Sequence, residues 1–137
     1  MKLVATCTRI AENAHVGQVR TRGADKGKPY IIHPERVAFH FKDETLKAIA
    51  WLHDVIEDTP VTADDLRSDG IPENVIEAVL AVSKVKGENY LEFLQRVLQN
   101  PLARQVKIAD IEDNMISLED GALKDKYRLA LFILANV

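Results

Sequence analysis

Apolar side chains recur every three or four residues along most of the chain, and no segment alternates with period two. Leu3, Cys7, Ile10, Ala11 and Ala14 predict a first helix over residues 2–16, ended near Gly17. A polar, glycine-punctuated loop follows over residues 20–28. Residues 29–34 read as extended chain turning into a helix with Pro34 at its first position, continuing through Val37, Ala38 and Phe41. Asp43 is the expected N-cap of the next helix, which carries Ile49, Ala50, Leu52 and Ile56 on one face and stops near Asp58, ahead of Pro60. Thr62 and Asp65 have the form of a capping box for a short helix ending before Gly70, and Pro72 opens another along Val75, Ile76, Val79, Leu80 and Val82. Tyr90, Leu91, Leu94, Val97 and Leu98 define a helix closed at Asn100. Pro101 starts a further helix with Val106, Ile108 and Ala109 as core, and Gly121 separates it from a last one over residues 124–136. The pattern predicts an all-α, single compact helical bundle.

At 137 residues and 47% hydrophobic composition, the chain has apolar side chains for one core, so residues 1–137 are expected to form one domain. A net charge of −3 argues mildly against a surface that coats nucleic acid. Cys7, the only cysteine, cannot form an internal disulfide; this fits a reducing, cytoplasmic setting, and a small buried side chain on the first helix is the expected role. Arg9 and Glu12 interrupt the N-terminal apolar residues before a signal-peptide core can form, and no apolar run approaches the roughly 20 residues that span a bilayer. No membrane association is expected. The longest apolar run, residues 129–135, suits a buried terminal helix or a partner-facing one and leaves room for a homodimer.

The chemistry concentrates in residues 48–60. On a helix His53 and Asp54 lie roughly 100° apart, with Glu57 and Asp58 at i+4 from each. A helix C-terminus favours cations, yet this last turn holds Asp54, Glu57 and Asp58 and no Lys or Arg. A bound metal ion is the simplest compensation. His33, placed at a helix N-terminus that disfavours imidazolium, would keep a neutral ring able to coordinate. Asp110 lies between Ala109 and Ile111 in an apolar stretch, where a carboxylate is costly unless paired or metal-bound; Asn114 follows one turn on, along the same face. The loop sets Arg20, Arg22, Lys26 and Lys28 against one acid, Asp25, and is either a solvated turn or a cationic rim for an anionic substrate. Lys84 follows a helix end, where a lysine needs no further role but could reach a phosphate. His15 is expected to cap or pack, and His40 to lie at the surface or pack.

His53-Asp54 followed by Glu57-Asp58-Thr59 resembles the HDxxEDT signature of the hydrolase domain in RelA/SpoT-type enzymes, within the HD phosphohydrolase superfamily. Three other segments fit in order: residues 15–20 resemble H-x-G-Q-x-R, residues 27–34 resemble G-x-P-Y-I-x-H-P, and residues 106–115 resemble V-K-L-A-D…N-M. The resemblance covers nearly the whole chain and implies an HD-domain helical bundle around one divalent metal ion, held by His33, His53, Asp54 and Asp110. Ligand type alone leaves manganese, iron, cobalt and zinc open; the resemblance points to manganese. It implies Glu57 and Asp58 as the residues that orient water or take its proton, with Arg20, Lys84 and Asn114 holding a small-molecule nucleotide. The implied reaction removes the 3′-pyrophosphate of guanosine tetra- or pentaphosphate, giving GDP or GTP and pyrophosphate. One departure stands out. Many members have Arg and His within A-D-x-x-x-N, where this chain has Ile111-Glu112-Asp113, acids expected to alter the charge near a polyanion. That departure keeps open a phosphohydrolase acting on another nucleotide. A non-catalytic nucleotide-sensing or protein-binding module is the third reading.

Overall fold

Helix α3 (Glu44–Leu52) is the most apolar stretch of the site region, and the other elements pack around it. Leu46, Ala48, Ile49, Ala50, Trp51 and Leu52 are all buried. The computed structural model describes residues 2–135; the expected end of the last helix at Asn136 lies outside the described residues. In chain order α3 is preceded by α1 (Lys2–Ala14), a 3-10 turn (Gly23–Asp25) and α2 (Ile32–Phe39). It is followed by α4 (Val55–Asp58), α5 (Ala63–Ser68), α6 (Glu73–Ala81), α7 (Tyr90–Leu98), α8 (Pro101–Ile116) and α9 (Ala122–Ala135). α1, α2, α6 and α8 all pack on α3, and α7 and α9 cover α8. Among the described residues the only β-type pairing is a single antiparallel bridge between Val19 and Pro29. The all-α bundle is as the periodicity predicts.

Capping sets most boundaries. Asp43 accepts a hydrogen bond from the Leu46 amide at 2.9 Å; Thr62 with Asp65 and Asn89 with Glu92 form reciprocal capping boxes. Asn100 Oδ1 accepts from the Leu102 and Ala103 amides, with Pro101 in the first turn, where its missing N–H costs nothing. Cys7 is fully buried on α1, and burial pushes its thiol up to about 12. On α9, Ala130 and Leu134 return to the core while Leu129 is exposed. Among the described residues no helix is long and apolar enough to cross a membrane.

Two stretches differ from the periodicity, and both carry candidate ligands. α2 starts at Ile32, so Pro34 is the third helical residue rather than the first. Amide bonds from Ile32 to Pro29 and from His33 to Tyr30 wind the chain early, and Pro34 is tolerated because first-turn N–H groups have no intrahelical partner. The helix also ends at Phe39, short of Phe41. The expected continuous helix from Asp43 to Asp58 is instead interrupted at the His53-Asp54 pair. His53 follows α3 with a three-residue amide bond to Ala50, and Asp54 takes φ −104°, ψ 0° before the single turn of α4. Apolar spacing continues across this break, so periodicity does not reveal it.

Candidate metal and nucleotide site

Four side chains from three parts of the chain converge beside α3. His33 Nε2 lies 2.8 Å from Asp110 Oδ1 and 3.8 Å from Asp54 Oδ2. His53 Nε2 lies 3.2 Å from His33 Nε2, 3.1 Å from Asp54 Oδ2 and 3.3 Å from Asp110 Oδ1. His33, His53 and Asp54 offer one donor atom each, all within 4.8 Å of one another. All four sequence-predicted ligands are thus brought together.

The rest of each imidazole fixes which nitrogen faces this point. His53 Nδ1 is 2.6 Å from the Ala50 carbonyl oxygen, and His33 Nδ1 is 2.7 Å from Asp113 Oδ2. Both partners only accept, so both Nδ1 atoms carry hydrogen and both Nε2 atoms turn toward the carboxylates. Two imidazole lone pairs and two carboxylate oxygens then meet with no donor among them, unless the rings are doubly protonated. A divalent cation suits that set. With metal–ligand bonds of about 2.1 Å, adjacent ligands sit about 3 Å apart, close to the 2.8–3.3 Å separations found here. The mixed nitrogen and oxygen donors fit a first-row divalent ion.

In the protein alone the same carboxylates favour positive charge on the rings themselves. Burial works against an imidazolium at His53, yet the Asp54 and Asp110 carboxylates outweigh it and raise its pKa well above the ordinary histidine value. Burial likewise opposes charge on His33, and the hydrogen bonds to Asp110 and Asp113 raise it. For Asp110, desolvation is more than offset by Lys107 and His53, which hold the carboxyl well below its usual range. Lys107 Nζ donates to Asp110 Oδ2 at 2.9 Å.

Around this centre, the remaining predicted residues divide. Asn114 Nδ2 donates to Asp110 Oδ1 at 3.2 Å, and its Oδ1 accepts from Arg20 Nη2 at 2.9 Å, so Arg20, Asn114 and the candidate ligand Asp110 form one chain. Arg20 and Asn114 line a cleft with Arg22, Tyr30, Ser117 and Tyr127. Asp58 senses the centre directly: desolvation, then Asp54 and Glu57, push its pKa up to about 6. Glu57 is turned elsewhere, with Oε1 accepting from the Lys84 amide at 2.7 Å. Lys84 is exposed, and its backbone carries this contact. His40 is exposed, as expected. His15 is buried, packed on Tyr30 at 5.0 Å, and its Nδ1 donates to Gln18 Oε1 at 2.8 Å; Gln18 Nε2 in turn donates to the Asp58 carbonyl.

Tyr30 lies in the quoted G-x-P-Y-I-x-H-P segment without an assigned role, whereas Arg36, Asp25 and Asp113 carry no distinctive signal in the sequence. The Tyr30 hydroxyl donates to Asp54 Oδ2, and the ring lies between His15, His33 and the Arg20 guanidinium. Arg36 donates to both oxygens of Asp113, at 2.8 and 3.1 Å, and to Asp25 at 2.6 Å. Asp25 is therefore not a solvated loop acid; Arg36 foremost holds its carboxyl below the usual range. Asp113 also departs from expectation. Both its oxygens are taken by His33 and Arg36 behind the donor set, so it adds no uncompensated charge toward a polyanion, while Glu112 faces solvent on the side of Phe39 and His40. Adjacent sequence positions give no hint of partners 77 to 80 residues away.

No protein-family model matches the chain. Individual proteins do. The bifunctional (p)ppGpp synthase/hydrolase SpoT of Escherichia coli K12 is 37% identical over 136 aligned residues, covering 87% of this chain and 18% of SpoT. The guanosine-3′,5′-bis(diphosphate) 3′-pyrophosphohydrolase of Vibrio cholerae is 38% identical over the same length, again covering 87% and 18%. The chain thus spans under a fifth of the length of these curated relatives. Among solved structures, one described as a metazoan ortholog of SpoT that hydrolyses ppGpp and plays a role in starvation responses superposes with a TM-score of 0.75. It is 23% identical, with 99% of this chain and 85% of that chain covered, and it shows that the fold is shared.

Proposed function

With the likeness to the hydrolase domain of RelA/SpoT-type enzymes found in the motifs, the aligned relatives and the fold, we propose that this chain is a metal-dependent nucleotide pyrophosphohydrolase. Its substrate on this reading is guanosine tetra- or pentaphosphate in the cytosol, and its products are GDP or GTP and pyrophosphate. The observation that carries the reading is the convergence of His33, His53, Asp54 and Asp110, in which each imidazole Nε2 lies within 3.8 Å of both carboxylates. These residues would hold one divalent ion, manganese on the resemblance. When bound there, such an ion supplies charge neutralisation at phosphoryl oxygens and acidifies water.

The protein's own groups supply the rest. Asp58, with its carboxyl raised to about 6, can accept a proton near neutral pH, where a stronger acid would be a poor base. Glu57, fixed by the Lys84 amide, anchors the turn that presents Asp58. Tyr30 holds Asp54 in place through its hydroxyl. Arg20 offers a guanidinium to phosphate or to the face of a base, with Tyr30 and Tyr127 as aromatic walls and Asn114 as a hydrogen-bonding group beside the sugar. On this reading Lys84, whose amide meets Glu57, supplies positive charge toward a phosphate.

The test is incubation with guanosine tetraphosphate and manganese, products resolved by ion exchange, with Asp54→Ala alongside. GDP and pyrophosphate from the wild type, and a loss of at least about 100-fold in the variant, is the expected result. Cleavage of a different nucleotide in a parallel panel would overturn the substrate and keep the chemistry. No cleavage across the panel by metal-loaded protein would overturn the enzyme reading in favour of a sensor.

A further inference from the structure

We propose that Asp113 is a positioning residue for the metal centre, acting through His33, and that Arg36 and Asp25 hold it in that role. The inference rests on the reading of His33 as a metal ligand. His33 Nδ1 donates to Asp113 Oδ2 at 2.7 Å, which commits the hydrogen to Nδ1 and the lone pair of Nε2 to the centre. Asp113 is itself held on both oxygens. Arg36 Nε donates to Oδ1 at 2.8 Å and Arg36 Nη2 to Oδ2 at 3.1 Å, a two-pronged grip on the carboxylate. The same Nη2 donates to Asp25 Oδ2 at 2.6 Å, and Lys28 donates to the other oxygen of Asp25 at 3.2 Å.

The two histidines are oriented by different means. His53 leans on a backbone carbonyl that no side-chain substitution removes, whereas His33 leans on a carboxylate one helix away. This makes His33 the adjustable ligand. The chain of contacts ends in the 3-10 turn of the cationic loop, which is seated against the end of α8: the Ala24 amide donates to the Ser117 carbonyl at 2.9 Å, and a side chain at Gly23 would come within 2.3 Å of that oxygen. The segment bearing Arg20 and Arg22 and the ring of His33 are therefore braced by one guanidinium.

An ordinary ion pair tying α2 to α8 would use the same Asp113–Arg36 contact, so the test needs readouts that such a tie would not move. Manganese affinity is measured by calorimetry for wild type, Asp113→Asn, Arg36→Ala, Asp25→Asn and His33→Ala, and the His33 ring is followed by 15N NMR in zinc-loaded protein. The expected result is about 10- to 100-fold weaker manganese binding in Asp113→Asn, with the His33 Nδ1–H signal lost or shifted and helicity unchanged. Arg36→Ala is expected to weaken binding less, and Asp25→Asn least. Wild-type affinity in folded Asp113→Asn, or in folded Arg36→Ala should Asp113→Asn fail to fold, overturns the proposal. If His33→Ala binds manganese like the wild type, the metal-centre reading fails with it. If His33→Ala loses the ion while Asp113→Asn keeps it, only the positioning role falls.

Discussion

Two clusters of charge in this molecule pair basic side chains with carboxylates at similar distances and do different things. On the surface, Arg67 at the end of α5 donates to Asp64 at 2.7 Å and to both oxygens of Glu73 at 2.7 to 3.2 Å, with side chains 45%, 90% and 54% exposed. Beside α3, His33, Asp110 and Lys107 meet at 2.8 and 2.9 Å with side chains only 1%, 4% and 16% exposed. Water screens the first set and lets each member find an alternative partner, so close geometry there carries little energy. The second set has no such alternative, and every unpaired member is costly. Burial, rather than the number of contacts, separates a site from a decorated surface.

The largest expected effect comes from removing the lysine of the buried cluster. Lys107→Met keeps an unbranched apolar chain but removes the ammonium that donates to Asp110 and lies 5.1 Å from the centre of the Phe93 ring. In metal-free buffer the variant is expected to lose about 3 kcal/mol in denaturant unfolding, the scale for breaking a buried pair on one side. Saturating manganese should restore roughly 2–3 kcal/mol through binding to the folded state alone. An unchanged midpoint in metal-free buffer would place Asp110 in the same class as the surface acids.

A smaller effect should come from Asp58, exposed at the edge of the cluster. Its carboxyl is raised from 3.8 to about 6, so between those pH values the folded state holds more protons than the unfolded state. Stability from this group therefore falls as pH rises from about 4 to about 6, and the cost is fully present above that window. Asp58→Asn in metal-free protein is expected to gain on the order of 1 kcal/mol at pH 7, a figure reduced because solvent reaches the residue, and nothing at pH 4. A gain that is equal at both pH values would show that the carboxyl is not coupled to the site.

Much of the fold is legible in the sequence because its signals are local. Asp43, Thr62 with Asp65, and Asn100 with Pro101 mark helix starts within the few residues that make the caps. The four convergent candidate ligands are legible too, since His53-Asp54 sits in a long signature and Asp110 interrupts an apolar stretch. The break at His53 is not, because Ile49, Leu52 and Ile56 keep helical spacing across it while the bend is set by the His53 ring and the Ala50 carbonyl. Asp113 reads as an extra acid for the same reason that Asp25 reads as a loop acid. Each is explained by Arg36, and nothing near either position announces that partner.

The smallest expected effect tests the other side of the comparison. Arg67 makes four hydrogen bonds to carboxylates, more than any single residue around the candidate metal site donates, and a count of contacts would rank it among the important side chains. Glu73 has its pKa lowered by Arg67, so whatever stability the pair adds is present above the ordinary carboxylate range and lost as pH falls through the lowered value. The pair joins α5 to the start of α6 across an exposed turn, and both long side chains must be ordered to make it. Arg67→Ala is therefore expected to leave the denaturant midpoint at pH 7 within replicate scatter, and 1 M salt to leave the wild type equally unmoved. A loss in Arg67→Ala as large as that in Lys107→Met would mean that geometry outweighs solvent in this protein, and the ranking of its two charge clusters would have to be reversed.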